Sequence, residues 1–155
     1  MQIRELMTAE PEACLATDSC AAAVAIMRRR NCGFVPVVDS HAAKRLIGVV
    51  TDRDIALHLG QADDTAEDVP VKACLTTDVK SIGPSASLNE AAALMEQSAI
   101  HRLPVVENGR VVGVLSLKDI AVAADKRWAY PESATAEQKL GEIVEAIASA
   151  REHPA

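Results

Sequence analysis

Gly48-Val49-Val50-Thr51-Asp52-Arg53-Asp54-Ile55-Ala56 returns at 113–121 as Gly113-Val114-Leu115-Ser116-Leu117-Lys118-Asp119-Ile120-Ala121, an offset of 65. That recurrence decides how the chain is organised. In each copy an apolar run ends at a hydroxyl residue, and an acid follows three positions later. A Ser or Thr before a helical pattern, with an acid at the third position, is the signature of an N-cap with its box. Each copy therefore predicts a strand running directly into a helix.

Working outward, Gly33-Phe34-Val35-Pro36-Val37-Val38 matches His101-Arg102-Leu103-Pro104-Val105-Val106 at an offset of 68. Ile3-Arg4-Glu5-Leu6-Met7-Thr8 matches Val71-Lys72-Ala73-Cys74-Leu75-Thr76 at the same offset. The change of offset falls between Asp39 and Arg45, opposite Glu107-Asn108-Gly109-Arg110. Such a hairpin tip accepts length changes at little cost. The chain is an internal duplication.

Both halves read as β-α-β-β-α. Short apolar stretches at 13–16 and 79–82 predict first strands, and Ser19 and Ser87 predict helix starts, the latter boxed by Glu90. Ala23, Ile26 and Met27, with Ala91, Leu94 and Met95, recur at helical spacing and predict the buried faces. The runs 34–38 with 46–50, and 103–106 with 111–115, predict hairpins, the second closed by Asn108-Gly109. Second helices are expected over 52–59 and 117–125. The fold class is α+β: two repeats packed by pseudo-twofold symmetry, with clefts between the halves where ligand pockets would form. The expected organisation is repeat 1 over 1–60, a polar acidic linker over 61–70, repeat 2 over 71–125 and a tail over 126–155. Thr135-Ala136-Glu137-Gln138 has the form of a capping box, so the tail is expected to carry an amphipathic helix over 136–151. Leu140, Ile143, Val144 and Ile147 mark its apolar face, which either docks on its own domain or meets a partner.

Composition narrows the function. The 155 residues are 49% apolar, 25% charged and 2% aromatic, with a net charge of −6. The chain is long enough to bury a core without disulfides or metal. No apolar run approaches a membrane span of roughly 18 residues, so no membrane association is expected. The acidic balance and three aromatic rings argue against nucleic acid as a partner, since phosphate neutralisation needs a basic face and single strands need stacking platforms. Charge in Met-Gln-Ile-Arg-Glu-Leu-Met, where a secretion signal is apolar, points to a cytoplasmic location. Cys14, Cys20, Cys32 and Cys74 show no CxxC spacing and the four histidines no HxxxH, so no metal site is assigned. Catalytic signatures such as GxSxG, GxGxxG and the P-loop are missing, and no enzyme activity is expected.

The duplicated motif carries two readings. Thr51 with Asp54, and Ser116 with Asp119, are helix caps; the same geometry offers free backbone N–H groups to an anion and a carboxylate to a ribose diol. The preceding glycine would let a ligand approach the strand. Arg53 and Lys118 share one motif position, and Arg102 lies beside His101; each either faces a phosphate or is a solvated charge. Arg28-Arg29-Arg30 closes a helix and complements its dipole. His101 has Gly33 as its counterpart, so any role for it is one-sided.

On Arg4-Glu5-Leu6-Met7, the two Pro-Val-Val strands and the two Gly-to-Ile motifs, residues 1–125 resemble the CBS (cystathionine β-synthase) domain family, as a tandem pair known as a Bateman module. The resemblance implies sensing of adenosine ligands: AMP, ADP or ATP, in some members S-adenosylmethionine or NAD-type molecules. It implies that Thr51, Asp54, Ser116 and Asp119 hold ribose. The base would then lie near Cys14 and Leu15, near Lys80 to Ile82, and near the segments before Pro36 and Pro104, with Phe34 the one ring available. Ala73-Cys74-Leu75 departs from the family's acid-apolar-Met pattern, and Gly33-Phe34 departs from His101-Arg102, implying unequal clefts. The expected function is a regulatory nucleotide-binding module with no required cofactor, a homodimer acting on a regulated protein that the chain does not identify. The alternative is a ligand-silent structural or interaction protein, metal- or redox-linked through Cys14.

Overall fold

The computed structural model describes residues 1–61, 63–125, 138 and 140–145. Helix starts fall on the hydroxyl residues. Ser19, Thr51 and Ser87 cap α2 (Cys20–Arg30), α3 (Asp52–Leu59) and α4 (Leu88–Ser98), each side-chain oxygen accepting the backbone N–H three residues on. Ser116 does the same for α5 (Leu117–Asp125), at 3.3 Å from the Asp119 nitrogen. A short α1 (Ile3–Leu6) precedes them. Both α2 and α4 end on a left-handed residue, Asn31 at φ 50° and Ala99 at φ 51°.

The strands are β1 (Thr8–Ala9), β2 (Cys14–Leu15), β3 (Phe34–Val38), β4 (Leu46–Thr51), β5 (Arg102–Glu107) and β6 (Arg110–Ser116), in two three-stranded sheets ordered β2-β3-β4 and β1-β6-β5. Asn108 and Gly109 both take positive φ, 52° and 81°, as a tight hairpin of this kind requires. The expected first strands are shorter than the apolar stretches. At 13–16 only β2 forms, because the Asp18 carboxylate takes the Leu15 N–H at 2.7 Å and turns the chain. At 79–82 only Ile82 pairs, donating to Pro104 O at 3.1 Å and accepting from Val106 at 2.8 Å, before Gly83-Pro84 ends the extension.

Repeats in sequence and compact bodies in space are different partitions. One unit comprises 1–9, 80–107 and 112–155; the other comprises 10–79 and 108–111. The leading segment of each repeat is thus exchanged. Thr8 pairs antiparallel with Val114, and Thr76 pairs antiparallel with Val49. The duplication holds in the cores: Ile3, Ile82, Leu88, Ala91, Met95, Leu103, Val105, Leu115 and Ile120 in one unit correspond to Val71, Cys14, Cys20, Ala23, Met27, Val35, Val37, Val50 and Ile55 in the other.

The acidic stretch expected as a spacer is partly docked: Ala66 O accepts the Ala21 N–H at 2.8 Å, and Val69 is buried. In the tail, Gln138 and 140–145 are helical. Ile143 is fully buried in the core of its own unit, with Leu140 packed against it. Val144 is 51% exposed, so the buried stripe is narrower than the sequence pattern implies. Ile147 and most of 136–151 lie outside the described residues.

Candidate functional site

Each strand-to-helix junction is built twice. In one unit Thr51 Oγ1 donates to Asp54 Oδ2 at 2.7 Å, the Thr51 N–H donates to the same oxygen at 3.0 Å, and the Asp54 N–H returns to Oγ1 at 3.1 Å. In the other, Ser116 and Asp119 repeat this at 2.7, 2.7 and 3.3 Å. Both Asp residues are half-buried. Only Oδ2 takes part in each cap, which leaves Oδ1 as an acceptor beside the first turn of a helix. Ser87 and Glu90 form a cap of the same kind, but with an exposed Glu on a longer stem.

The junctions are also where the segments before Pro36 and Pro104 arrive. The Asp52 N–H donates to Gly33 O at 3.2 Å, and the Leu117 N–H donates to His101 O at 3.0 Å. Phe34 pairs with Thr51 across β3 and β4. So one unit gathers Gly33, Phe34, Thr51, Asp52, Arg53 and Asp54; the other gathers His101, Arg102, Ser116, Leu117, Lys118 and Asp119.

The glycine of the motif does something other than admit a ligand. A Cβ on Gly48 would overlap the Leu75 side chain and stand 2.7 Å from Thr76 O; one on Gly113 would overlap Met7 and stand 3.2 Å from Thr8 O. What approaches the strand at these positions is the chain's own exchanged segment. Leu75 therefore fills the role of Met7, and its departure from the family pattern leaves that packing intact.

The two junctions differ in charge. A Cβ on Gly33 would fall on the Asp52 carboxylate, 2.8 Å from its Cγ. A side chain at 33 and the acid at 52 exclude each other as placed. The other unit has the opposite combination, His101 with Leu117. With histidine neutral, Asp52, Arg53 and Asp54 sum to one negative charge, whereas Arg102, Lys118 and Asp119 sum to one positive charge.

The remaining predicted residues scatter. Cys14 is fully buried, and its thiol donates to Pro36 O at 3.9 Å; burial pushes it up to about 11, with Asp18 adding to the shift. Its side chain belongs to the core, so at this strand entry a ligand would meet backbone and Leu15 rather than the thiol. Ile82 is likewise a core residue. Leu15 and Phe34 are half-buried, while Lys80, Arg53 and Lys118 are exposed. Glu12, which the sequence did not single out, holds Arg29 and Arg30; the Arg29 guanidinium draws its carboxyl below the usual range. No three His, Cys, Asp or Glu side chains converge on a metal-sized site among the described residues. No helix of the described residues is long and apolar enough to cross a membrane.

The CBS domain model matches residues 3–60 and 66–126. The CBS domain-containing protein YhcV of Bacillus subtilis is 34% identical over 120 residues, which cover 77% of this chain and 83% of that protein. Among solved structures, an acetoin utilization protein (AcuB) from Vibrio cholerae superposes with a TM-score of 0.75 at 31% identity, over 85% of this chain and 96% of that one. The CBS domain pair of protein MJ0100, solved in complex with 5′-methylthioadenosine and S-adenosyl-L-methionine, superposes with a TM-score of 0.69 at 25% identity, over 79% of this chain and 98% of that one.

Proposed function

Since this chain belongs to the CBS domain family and carries two copies of the domain, we propose that it is a non-catalytic regulatory module that binds adenosine-containing nucleotides of the AMP, ADP or ATP class. The observation that carries the reading is the duplicated hydroxyl–Asp pair, each with one carboxylate oxygen outside its cap and beside a helix N-terminus. A carboxylate accepts both hydroxyls of a ribose diol, and the first turn of a helix favours the phosphates that follow. That one solved neighbour was crystallised with two adenosyl compounds supports an adenosine-containing ligand.

The charge difference ranks the two junctions. Arg102 and Lys118 suit a phosphorylated ligand, whereas Asp52 disfavours one and leaves the Thr51–Asp54 junction better matched to an uncharged adenosyl tail. Regulation then follows from differential affinity for two arrangements of the protein or its assembly. We place that assembly as a homodimer in the cytoplasm, with a separate regulated protein as its target. Leu57 and Val122 stand at equivalent positions of α3 and α5 and are 55% and 46% exposed, which supports a helix-borne contact with a second copy.

Titration calorimetry with AMP, ATP and adenosine tests the reading. Asp119→Ala should weaken AMP by at least tenfold, and Lys118→Ala should weaken ATP more than adenosine. A folded protein that binds none of the three supports the ligand-silent reading, and one that binds equally well with both Asp54→Ala and Asp119→Ala in place overturns the ribose role, leaving both motifs as caps and nothing more.

A further inference from the structure

The four cysteines occupy positions that are aliphatic in the other repeat. Cys14, Cys20 and Cys32 correspond to Ile82, Leu88 and Ile100 at an offset of 68, and Cys74 corresponds to Leu6. The fold therefore needs an apolar group at each place and not a thiol. Two of these replacements meet. Cys20 Sγ and Cys74 Sγ lie 3.5 Å apart, although 54 residues separate them in sequence. The other two thiols are turned elsewhere, Cys14 to Pro36 O and Cys32 to Phe34 O.

The backbone fixes the pair. Cys20 is the first residue of α2, and its N–H donates to Val69 O at 2.8 Å. Val71 N–H donates to Asp18 O at 2.8 Å, and Lys72 N–H to Ala16 O at 2.9 Å. These bonds hold 69–72 against 16–20, and Cys74 ends the following turn, Val71–Ala73. Closing the sulfurs from contact to a bond of about 2.05 Å asks for roughly 1.5 Å of movement. Cys74, at the end of a single turn and half-buried, is the more accessible partner.

We propose that Cys20 and Cys74 are a redox modification site, a thiol pair that a peroxide converts to a reversible disulfide. Cys74, the accessible thiol, attacks one peroxide oxygen as its thiolate, giving the sulfenic acid and releasing water. The Cys20 sulfur then displaces hydroxide from the Cys74 sulfur, and the Cys20 proton leaves with it as a second water. Overall two thiols and one hydrogen peroxide give one disulfide and two waters. Cys20 is fully buried and its thiol is pushed up to about 12 by that burial and by the Cys74 contact. Its burial keeps peroxide away, so the half-buried Cys74 is oxidised first, and Cys20, giving its proton to the departing hydroxide, closes the bond. The bond closes the loop from α2 to the exchanged segment, and pins 71–76 where it reaches β4.

The test uses the full reduced chain exposed to hydrogen peroxide, alkylated, digested and mapped by mass spectrometry. Trypsin must be combined with cleavage before Asp18, since trypsin alone leaves Cys14 and Cys20 on one peptide. The expected result is one linked pair, Cys20 with Cys74, reversed by dithiothreitol and accompanied by a rise in Tm of roughly 5–10 °C. Cys20→Ala should trap a dimedone-reactive sulfenic acid on Cys74. The proposal is overturned if Cys20 and Cys74 remain separately alkylated after treatment, if Cys74 links to Cys14 or Cys32, or if the bond joins two chains. Mapping of the wild-type protein, with a non-reducing gel to separate a bond within one chain from one between two, decides among these without any variant having to fold.

Discussion

Replacing the motif glycines by alanine should affect the two halves unequally, and the difference can be worked out from contacts. At Gly48 the new Cβ meets the Leu75 side chain and, 2.7 Å away, the carbonyl oxygen of Thr76. Side chains swing aside; a backbone carbonyl in a paired bridge does not. That carbonyl accepts the Val49 N–H at 2.9 Å, and the Thr76 N–H donates back to Val49 O at 2.8 Å. Two backbone hydrogen bonds contribute about 2 kcal/mol together, and overpacking adds about 1–3 kcal/mol. Reduced freedom of the unfolded chain returns about 0.4–1 kcal/mol. Gly48→Ala is therefore expected to destabilise by about 2–4 kcal/mol. At Gly113 the overlapping atom is Met7 Sδ, on an unbranched side chain that can re-rotate, and Thr8 O is 3.2 Å away, which a shift of a few tenths of an ångström relieves. The same entropic gain then brings Gly113→Ala to within about 1 kcal/mol of neutral.

Urea unfolding gives the two stabilities at constant slope, and hydrogen exchange locates the change. The Val49 and Thr76 amides should lose protection in Gly48→Ala while α4 amides do not. Leu75→Ala combined with Gly48→Ala should recover only part of the loss, because the carbonyl contact persists. Equal destabilisation by the two substitutions, or a neutral Gly48→Ala, would refute the view that these glycines exist to admit the exchanged segments.

Four further outcomes are expected. Ala99→Gly removes a left-handed strain at the end of α4 and should stabilise by about 1 kcal/mol, read as a higher urea midpoint; a loss of stability would contradict the assigned backbone. The Glu90 carboxyl sits below the usual range because Ser87 hydrogen-bonds its charged form, and Glu12 does so beside Arg29. Folded values depressed below unfolded ones contribute stability above the ordinary carboxylate range that is lost as pH falls through the folded values; Glu90→Gln should flatten part of that acid limb in Tm measured from pH 6 to pH 3. Iodoacetamide at pH 8 should label Cys14 and Cys20 of the native protein far more slowly than the unfolded chain, since burial raises both thiols to about 11 and 12. Leu57→Lys together with Val122→Lys should shift sedimentation toward the monomer and leave a folded chain whose Tm no longer depends on protein concentration, both positions being exposed on the single chain.

The duplication and the element types were legible because periodicity and caps act locally. Ser19, Thr51, Ser87 and Ser116 each start the helix expected of them, and Asn108-Gly109 makes the hairpin. The exchange of leading segments was not legible. It depends on where 1–9 and 71–76 go in space, and antiparallel pairing with β6 or β4 leaves no local trace beyond a glycine. That glycine was visible, but without a partner in view a close approach reads equally as ligand or as chain. The first strands were overread for a related reason: an apolar stretch reports burial, whereas strand length depends on which neighbours accept its N–H groups, and Asp18 intercepts the one at Leu15. Small apolar residues at a strand entry serve a core or a pocket, and the count of neighbours above them is a property of the fold.

The differences between the halves carry the more specific information. Where the two copies agree, at Ala23 and Ala91 or Ile55 and Ile120, the residue is explained by packing that both units share. Where they disagree, packing alone is an insufficient account, since the other copy shows that a different residue satisfies it. Gly33 with Asp52 against His101 with Leu117 is one such disagreement, and it is compensated: the space a side chain would take at 33 is filled by the acid at 52. Compensation keeps the volume and changes the charge, which is the combination expected of a site tuned for a different ligand. Cys20 and Cys74 against Leu88 and Leu6 is the second, and it too is paired, because two replacements from distant parts of the chain arrive within 3.5 Å of each other. Independent drift toward small apolar residues would not be expected to bring two replacements from distant segments into sulfur–sulfur contact. A duplicated fold thus supplies its own control, and both proposals rest on positions where that control fails in pairs.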